Sequence, residues 1–138
     1  MTQANAEQRY GLELEVLEED RLSCRLTRIR HRGSALPDFD ALRAKADRLL
    51  ETVTYLEDKL RLVEQEPEAI LLRSETPRRS AEGVDYYEVR LEAEGLTELS
   101  CKHYERSETE TTPQDVVFTH RQLERLGQDL QAISSSLL

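Results

Sequence analysis

Apolar residues recur along this chain with two different rhythms, and each predicts its own kind of element. Tyr10, Leu12, Leu14 and Val16 alternate with Gly11, Glu13 and Glu15; Leu22, Cys24 and Leu26 alternate with Ser23, Arg25 and Thr27. A period of two marks a strand with one face in a core and one in water. Glu18, Glu19 and Asp20 lie between the two runs and predict a hairpin turn, which brings Glu13 or Glu15 opposite Arg25. Near Ile29 the alternation slips by one, as at a bulge or a strand end.

The second rhythm follows the breaker Gly33-Ser34-Ala35-Leu36-Pro37. Phe39, Leu42, Ala46, Leu49, Val53, Leu56, Leu60 and Val63 are spaced alternately three and four residues apart. This heptad seam predicts one helix from Asp38 to Glu64, with Asp38 and Asp40 at the positive end of its dipole and Pro67 as its stop. Such a rod reaches about 40 Å at 1.5 Å per residue and overhangs strands of about 30 Å. Leu50, Tyr55 and Leu62 widen its stripe, so the sheet is expected on one side and a helix, or a second copy, on the other.

Ala69–Arg73 reads as a buried strand and residues 75–83 as a mobile loop. A second hairpin turns at Gly95 and pairs Leu91 with Leu99, Val89 with Cys101 and Tyr87 with His103; on its other face Glu88 meets Lys102 and Tyr86 meets Tyr104. Residues 107–114 form a polar loop. Val116–Phe118 adds a few strand residues, and Thr119-His120-Arg121-Gln122 is a capping box with Phe118 and Leu123 as its staple. The helix it opens carries Leu123, Leu126, Leu130, Ile133 and Leu137, with Gly127 marking close packing. The expected fold is α+β: an antiparallel sheet of about five strands in the order β-β-α-β-β-β-α, with one long helix and a C-terminal helix, in a single domain 1–138 whose residues 1–8 are a flexible tail.

Charge narrows the partners. The chain has 138 residues, a formal charge of −9 and no tryptophan, so it repels nucleic-acid backbone and anionic lipid on average. Met1 to Gln8 is polar and no apolar run approaches a membrane span, so neither leader nor anchor is expected and the predicted location is cytoplasmic. Cys24 and Cys101 are then small buried hydrophobes rather than a disulfide.

Catalytic motifs are missing from the sequence: no Gly-rich phosphate loop, serine elbow, Cys-x-x-Cys or His-Glu-x-x-His, and no cofactor or metal is expected. His103 lies two residues from Cys101, but zinc there would need Cys24 and a further ligand. Arg25, Arg28, Arg30, His31 and Arg32 form a basic cluster that Glu13, Glu15, Glu18 and Glu19 can neutralise. Glu13-Leu14-Glu15 is similar to the Glu-x-Glu-x-Lys opening of the CYTH triphosphate-tunnel enzymes. That resemblance implies carboxylates holding a divalent metal on a triphosphate inside a β-barrel. Leu17 stands where that motif has lysine, and the chain has too few strands to close a tunnel.

The expected function is therefore a non-catalytic protein–protein interaction module, an adaptor or chaperone-like homodimer, built on Leu42, Leu49, Leu50, Tyr55, Leu56, Leu60, Val63, Leu130 and Ile133. The alternative is a phosphate, metal or enzyme site on the charged sheet face, using Glu13, Glu15, Arg25, Glu88, Arg90 and Lys102.

Overall fold

Strand formation begins inside the polar N-terminus. In the computed structural model, which describes residues 5–56, 59–74, 78–79, 83–105 and 111–137, β1 spans Asn5–Arg9 and pairs with β2, Leu12–Glu19. The expected tail is thus a strand from Asn5 onward, because β2 offers its backbone a hydrogen-bonding partner. Tyr10 and Gly11 join the two strands with φ of 58° and 76°. A two-residue hairpin needs such left-handed pairs; glycine adopts the conformation freely, a tyrosine does not.

β3, Ser23–Arg32, follows. Its register places Arg25 opposite Glu18, Arg28 opposite Glu15 and Arg30 opposite Glu13, with shifts between Glu15 and Glu18. Arg25 therefore misses Glu13 and Glu15, because the chain turns at Asp20–Leu22 and the ladder that leaves this turn carries Arg25 only as far as Glu18. The Asp20 carboxylate closes the hairpin by accepting the Leu22 and Ser23 N–H groups at 2.8 Å each.

The heptad rod is broken. α1 spans only Phe39–Thr52, about 21 Å. Asp38 caps it by accepting the Ala41 N–H at 2.9 Å. Thr52, Val53 and Thr54 end it with a β-branched run that helices disfavour. Leu60–Glu66 is a strand, β4, and Pro67-Glu68 is a tight turn into β5, Ala69–Ser74. The reason is tertiary. β5 pairs with β7 along one side and needs a ladder along the other, and β4 supplies it.

The remaining elements are β6 (Arg78–Arg79), β7 (Gly83–Glu92), β8 (Leu96–Glu105), β9 (Thr111–Gln114), β10 (Val116–Thr119) and α2 (His120–Ser136). The described residues form one antiparallel sheet of ten strands, twice the number expected, in the order β1-β2-β3-β8-β7-β5-β4. β6 joins it at β7. β9 and β10 form a nearly continuous ribbon that fills the wedge where β3 and β8 diverge: β9 pairs with Cys101–Tyr104, β10 with Ser23–Leu26. The expected loops 75–83 and 107–114 thus contain strand at Arg78–Arg79, Gly83 and Thr111–Gln114; the rest of them lies outside the described residues.

The β7–β8 hairpin sits two residues away from the expected register: Val89 faces Leu99, Tyr87 faces Cys101, Glu88 faces Ser100 and Tyr86 faces Lys102. A slip of two keeps every side chain on its face. Gly95, at φ 109°, fixes the turn: a Cβ there would lie 2.2 Å from the Gly33 carbonyl oxygen, and the Gly33 N–H donates to the Gly95 carbonyl at 2.9 Å.

Both helices pack on one sheet face, α1 over β4, β5 and β7, α2 over β3 and β10, and they touch each other. The core between them includes Leu12, Leu14, Leu26, Leu42, Leu49, Leu72, Leu91 and Leu123. The capping box at Thr119 forms as its sequence indicates.

Candidate functional site

The second face of the sheet carries the charges. Glu13, Arg30, Glu98 and Arg90 stand opposite one another on β2, β3, β8 and β7, and the row continues through Leu71 on β5 to Glu64 on β4. Alternation dictates this: Leu14, Ile29, Leu99 and Val89 next to them point to the core. Arg30 donates to Glu98 at 2.9 Å, and Arg28 reaches Glu98 at 3.4 Å and Glu15 at 3.9 Å. Arg32 donates to Glu13 at 2.6 Å, which holds the Glu13 carboxyl below the usual range. Arg73 meets Glu88 at 3.3 Å and lies over the Tyr86 ring.

The six residues expected to converge on a ligand do not share one point. Glu13 is engaged by Arg32, Glu15 by Thr27 and Arg28, Arg25 by Glu18, Glu88 by Arg73 and Arg90 by Glu92. Lys102 lies opposite Tyr86, farther along the sheet. Neighbour-to-neighbour pairing replaces convergence because strand spacing puts unlike charges side by side. The sheet path also runs open from β1 to β4 among the described residues, so Glu13 and Glu15 face no tunnel.

The apolar stripe has a different fate. Leu42, Leu49, Leu56, Leu60, Leu130 and Ile133 are buried in the chain's own core, and Leu50 and Tyr55 pack against it. Val63 is half-buried on β4, beside the bulge between Leu62 and Glu64. With the rod broken and its greasy edge covered from within, the overhang expected to meet a second copy does not exist. Tyr55 donates to Asp129 on α2 at 2.7 Å and stacks under Arg125, tying the end of α1 to α2.

Two polar clusters lie outside the residues expected from the sequence. Lys45 is 1% exposed, its Nζ donating to the Gly95 carbonyl at 3.2 Å, and burial pushes its pKa down. His31, 2% exposed, meets Gln131 at 3.3 Å through Nε2, and burial lowers its pKa as well. Lys45 lies three residues after Leu42 and one before Ala46, so a charge on the buried stripe was visible in the helical period. The second cluster is at the tip of the β2–β3 hairpin, where Glu19, Cys24 and His120 come together. Cys24 thus turns to His120, not to His103, whose Nδ1 lies 2.5 Å from Asp85. No spacing rule joins Cys24 to a histidine 96 positions away.

No protein-family model, curated protein or solved structure matches the chain. Among the described residues no helix is long and apolar enough to cross a membrane.

Proposed function

We propose that the protein is a non-catalytic interaction module whose working surface is the charged face of the sheet, and that the partner is a second copy of the chain. The observation that carries this reading is the in-register row Glu13–Arg30–Glu98–Arg90. A row of alternating sign is self-complementary under a two-fold rotation, which is what an isologous dimer requires. Its two acids and two bases balance while the whole chain carries −9, so the row itself adds no net repulsion between copies. Exchanging intramolecular for intermolecular ion pairs gives register and specificity more than affinity.

A ligand site for phosphate or metal on the same face is the second reading, supported by Arg28 and Arg30 side by side around Glu98. Light scattering over a salt series separates the two. The module reading expects a dimer at low ionic strength that salt weakens, since screening is strong beyond about 10 Å at 0.1 M, and that Glu98→Arg dissociates. A monomer under every condition, with a thermal shift on adding polyphosphate that Arg30→Ala removes, would establish the ligand reading instead.

A further inference from the structure

We propose that Glu19, Cys24 and His120 form a binding site for a zinc-like divalent transition metal. Three separate elements deliver the ligands: Glu19 ends β2, Cys24 is the second residue of β3, and His120 opens α2. The Cys24 sulfur lies 3.8 Å from Glu19 Oε2 and 3.7 Å from His120 Nδ1, the His120 ring lies 3.9 Å from Glu19 Oε2 through Nε2, and one ligand atom from each of the three residues lies within 4.8 Å of the other two. Around a tetrahedral ion with bonds of about 2.0–2.3 Å, adjacent ligand atoms stand roughly 3.3–3.7 Å apart. The set is slightly open, by an amount side-chain rotation can close.

Each donor is already oriented. The His120 N–H donates to the Leu22 carbonyl at 3.0 Å, which pins the start of α2 to the hairpin tip. His120 Nε2 lies 3.0 Å from the Asp20 carbonyl. A carbonyl only accepts, so Nε2 carries the proton and the Nδ1 lone pair is turned toward the sulfur. This is the outer partner that metal-bound histidines use. Arg9 grips the Glu19 carboxylate with two hydrogen bonds, at 2.5 and 2.8 Å. Cys24 approaches from the core, fully buried, while His120 and Glu19 are a quarter and two-fifths exposed, so an ion can enter from solvent.

Tyr10 borders the cluster. It holds the left-handed turn position, φ 58°, where a non-glycine residue is strained. Its hydroxyl lies 3.4 Å from His120 Nδ1. An oxygen thus stands beside His120, where it or a water can complete the coordination.

Sulfur, imidazole and one carboxylate select zinc-type ions over magnesium or calcium, which take oxygen donors. On binding, the metal–sulfur bond forms as the Cys24 S–H bond breaks and the proton leaves to solvent; nothing is oxidised. The bound ion would clasp the hairpin tip to α2.

Cobalt(II), added under reducing conditions to the full chain, reports such a site through a thiolate-to-cobalt charge-transfer band and the visible bands of a tetrahedral ion. One equivalent is expected to bind. Cys24→Ser should abolish the charge-transfer band, and Cys101→Ser and His103→Ala should leave it intact. Glu19→Gln lies at the surface and serves as the second test should Cys24→Ser not fold. It should weaken cobalt affinity about tenfold or more. No charge-transfer band, a band that survives Cys24→Ser or is lost with Cys101→Ser, or unchanged affinity in Glu19→Gln would overturn the site.

Discussion

Gly127 sets two levels of structure against each other. It lies inside α2, buried, and helix propensity alone says that Gly127→Ala should stabilise the protein by about 1 kcal/mol. The tertiary contact says otherwise. A Cβ at this position would lie 2.0 Å from the Tyr10 carbonyl oxygen, 3.1 Å from its carbon and 3.3 Å from the Tyr10 Cβ. Relief requires a backbone movement of about 1 Å or more to restore ordinary contact. The obstacle is no flexible side-chain tip but the backbone of a two-residue turn whose φ values are fixed at 58° and 76°. Overpacking of this kind costs about 1–3 kcal/mol, and several times the propensity gain at the upper end. The expected net effect is destabilisation of up to about 2 kcal/mol, a fall in Tm of up to roughly 8 °C for a domain of this size. Thermal and urea unfolding followed by circular dichroism measure it, with the exposed Ser135→Ala on the same helix as the reference. A Gly127→Ala variant more stable than wild type would refute the reasoning, because α2 would then not press against the β1–β2 turn.

Lys45→Met should leave stability unchanged or raise the urea midpoint, since it removes a buried ammonium held by one carbonyl; a clear loss would mean that the charge has a further partner. His31 and His103 should act in opposite directions on pH-dependent stability. His31 is kept neutral by burial, so the folded state binds fewer protons than the unfolded one, and stability falls as pH drops below about 6.5. His103 is raised, first by its hydrogen bond to Asp85; its contribution is complete below about pH 6.5 and is lost as pH rises through its folded value. Urea unfolding from pH 5 to 8 of His31→Asn and His103→Gln should show slopes changed in opposite senses. Thr119→Ala, which breaks the capping box, should cost about 1 kcal/mol, read as a lower denaturant midpoint at unchanged slope.

The helical start signals were legible. Asp38 and Thr119 cap as written, and α2 presents Leu123, Leu126, Leu130 and Ile133 to the core as its period requires. The strand faces were legible too, because alternation survives a register error: β7 and β8 slipped by two and still buried Val89 and Leu99. The charged face followed from the same alternation, though not its pairings, since the position of the β2–β3 turn decides which arginine meets which glutamate. The chain's heptad rhythm misled. Val53, Leu56 and Leu60 are buried as the seam demands, yet a turn and a strand bury them as well as a helix would.

Local sequence by itself determined where apolar faces lie, how both helices begin and that close packing would surround Gly127. What the tertiary structure decided was the length of α1, the strand at β4 and the meeting of Glu19, Cys24 and His120. The physical reason is that backbone hydrogen bonding must close over the whole sheet. The open side of β5 drew Leu60–Glu66 out of a helical pattern, and the wedge between β3 and β8 drew β9 and β10 in, carrying His120 to the hairpin tip. Both demands come from strands far away in sequence, so no window along the chain contains them.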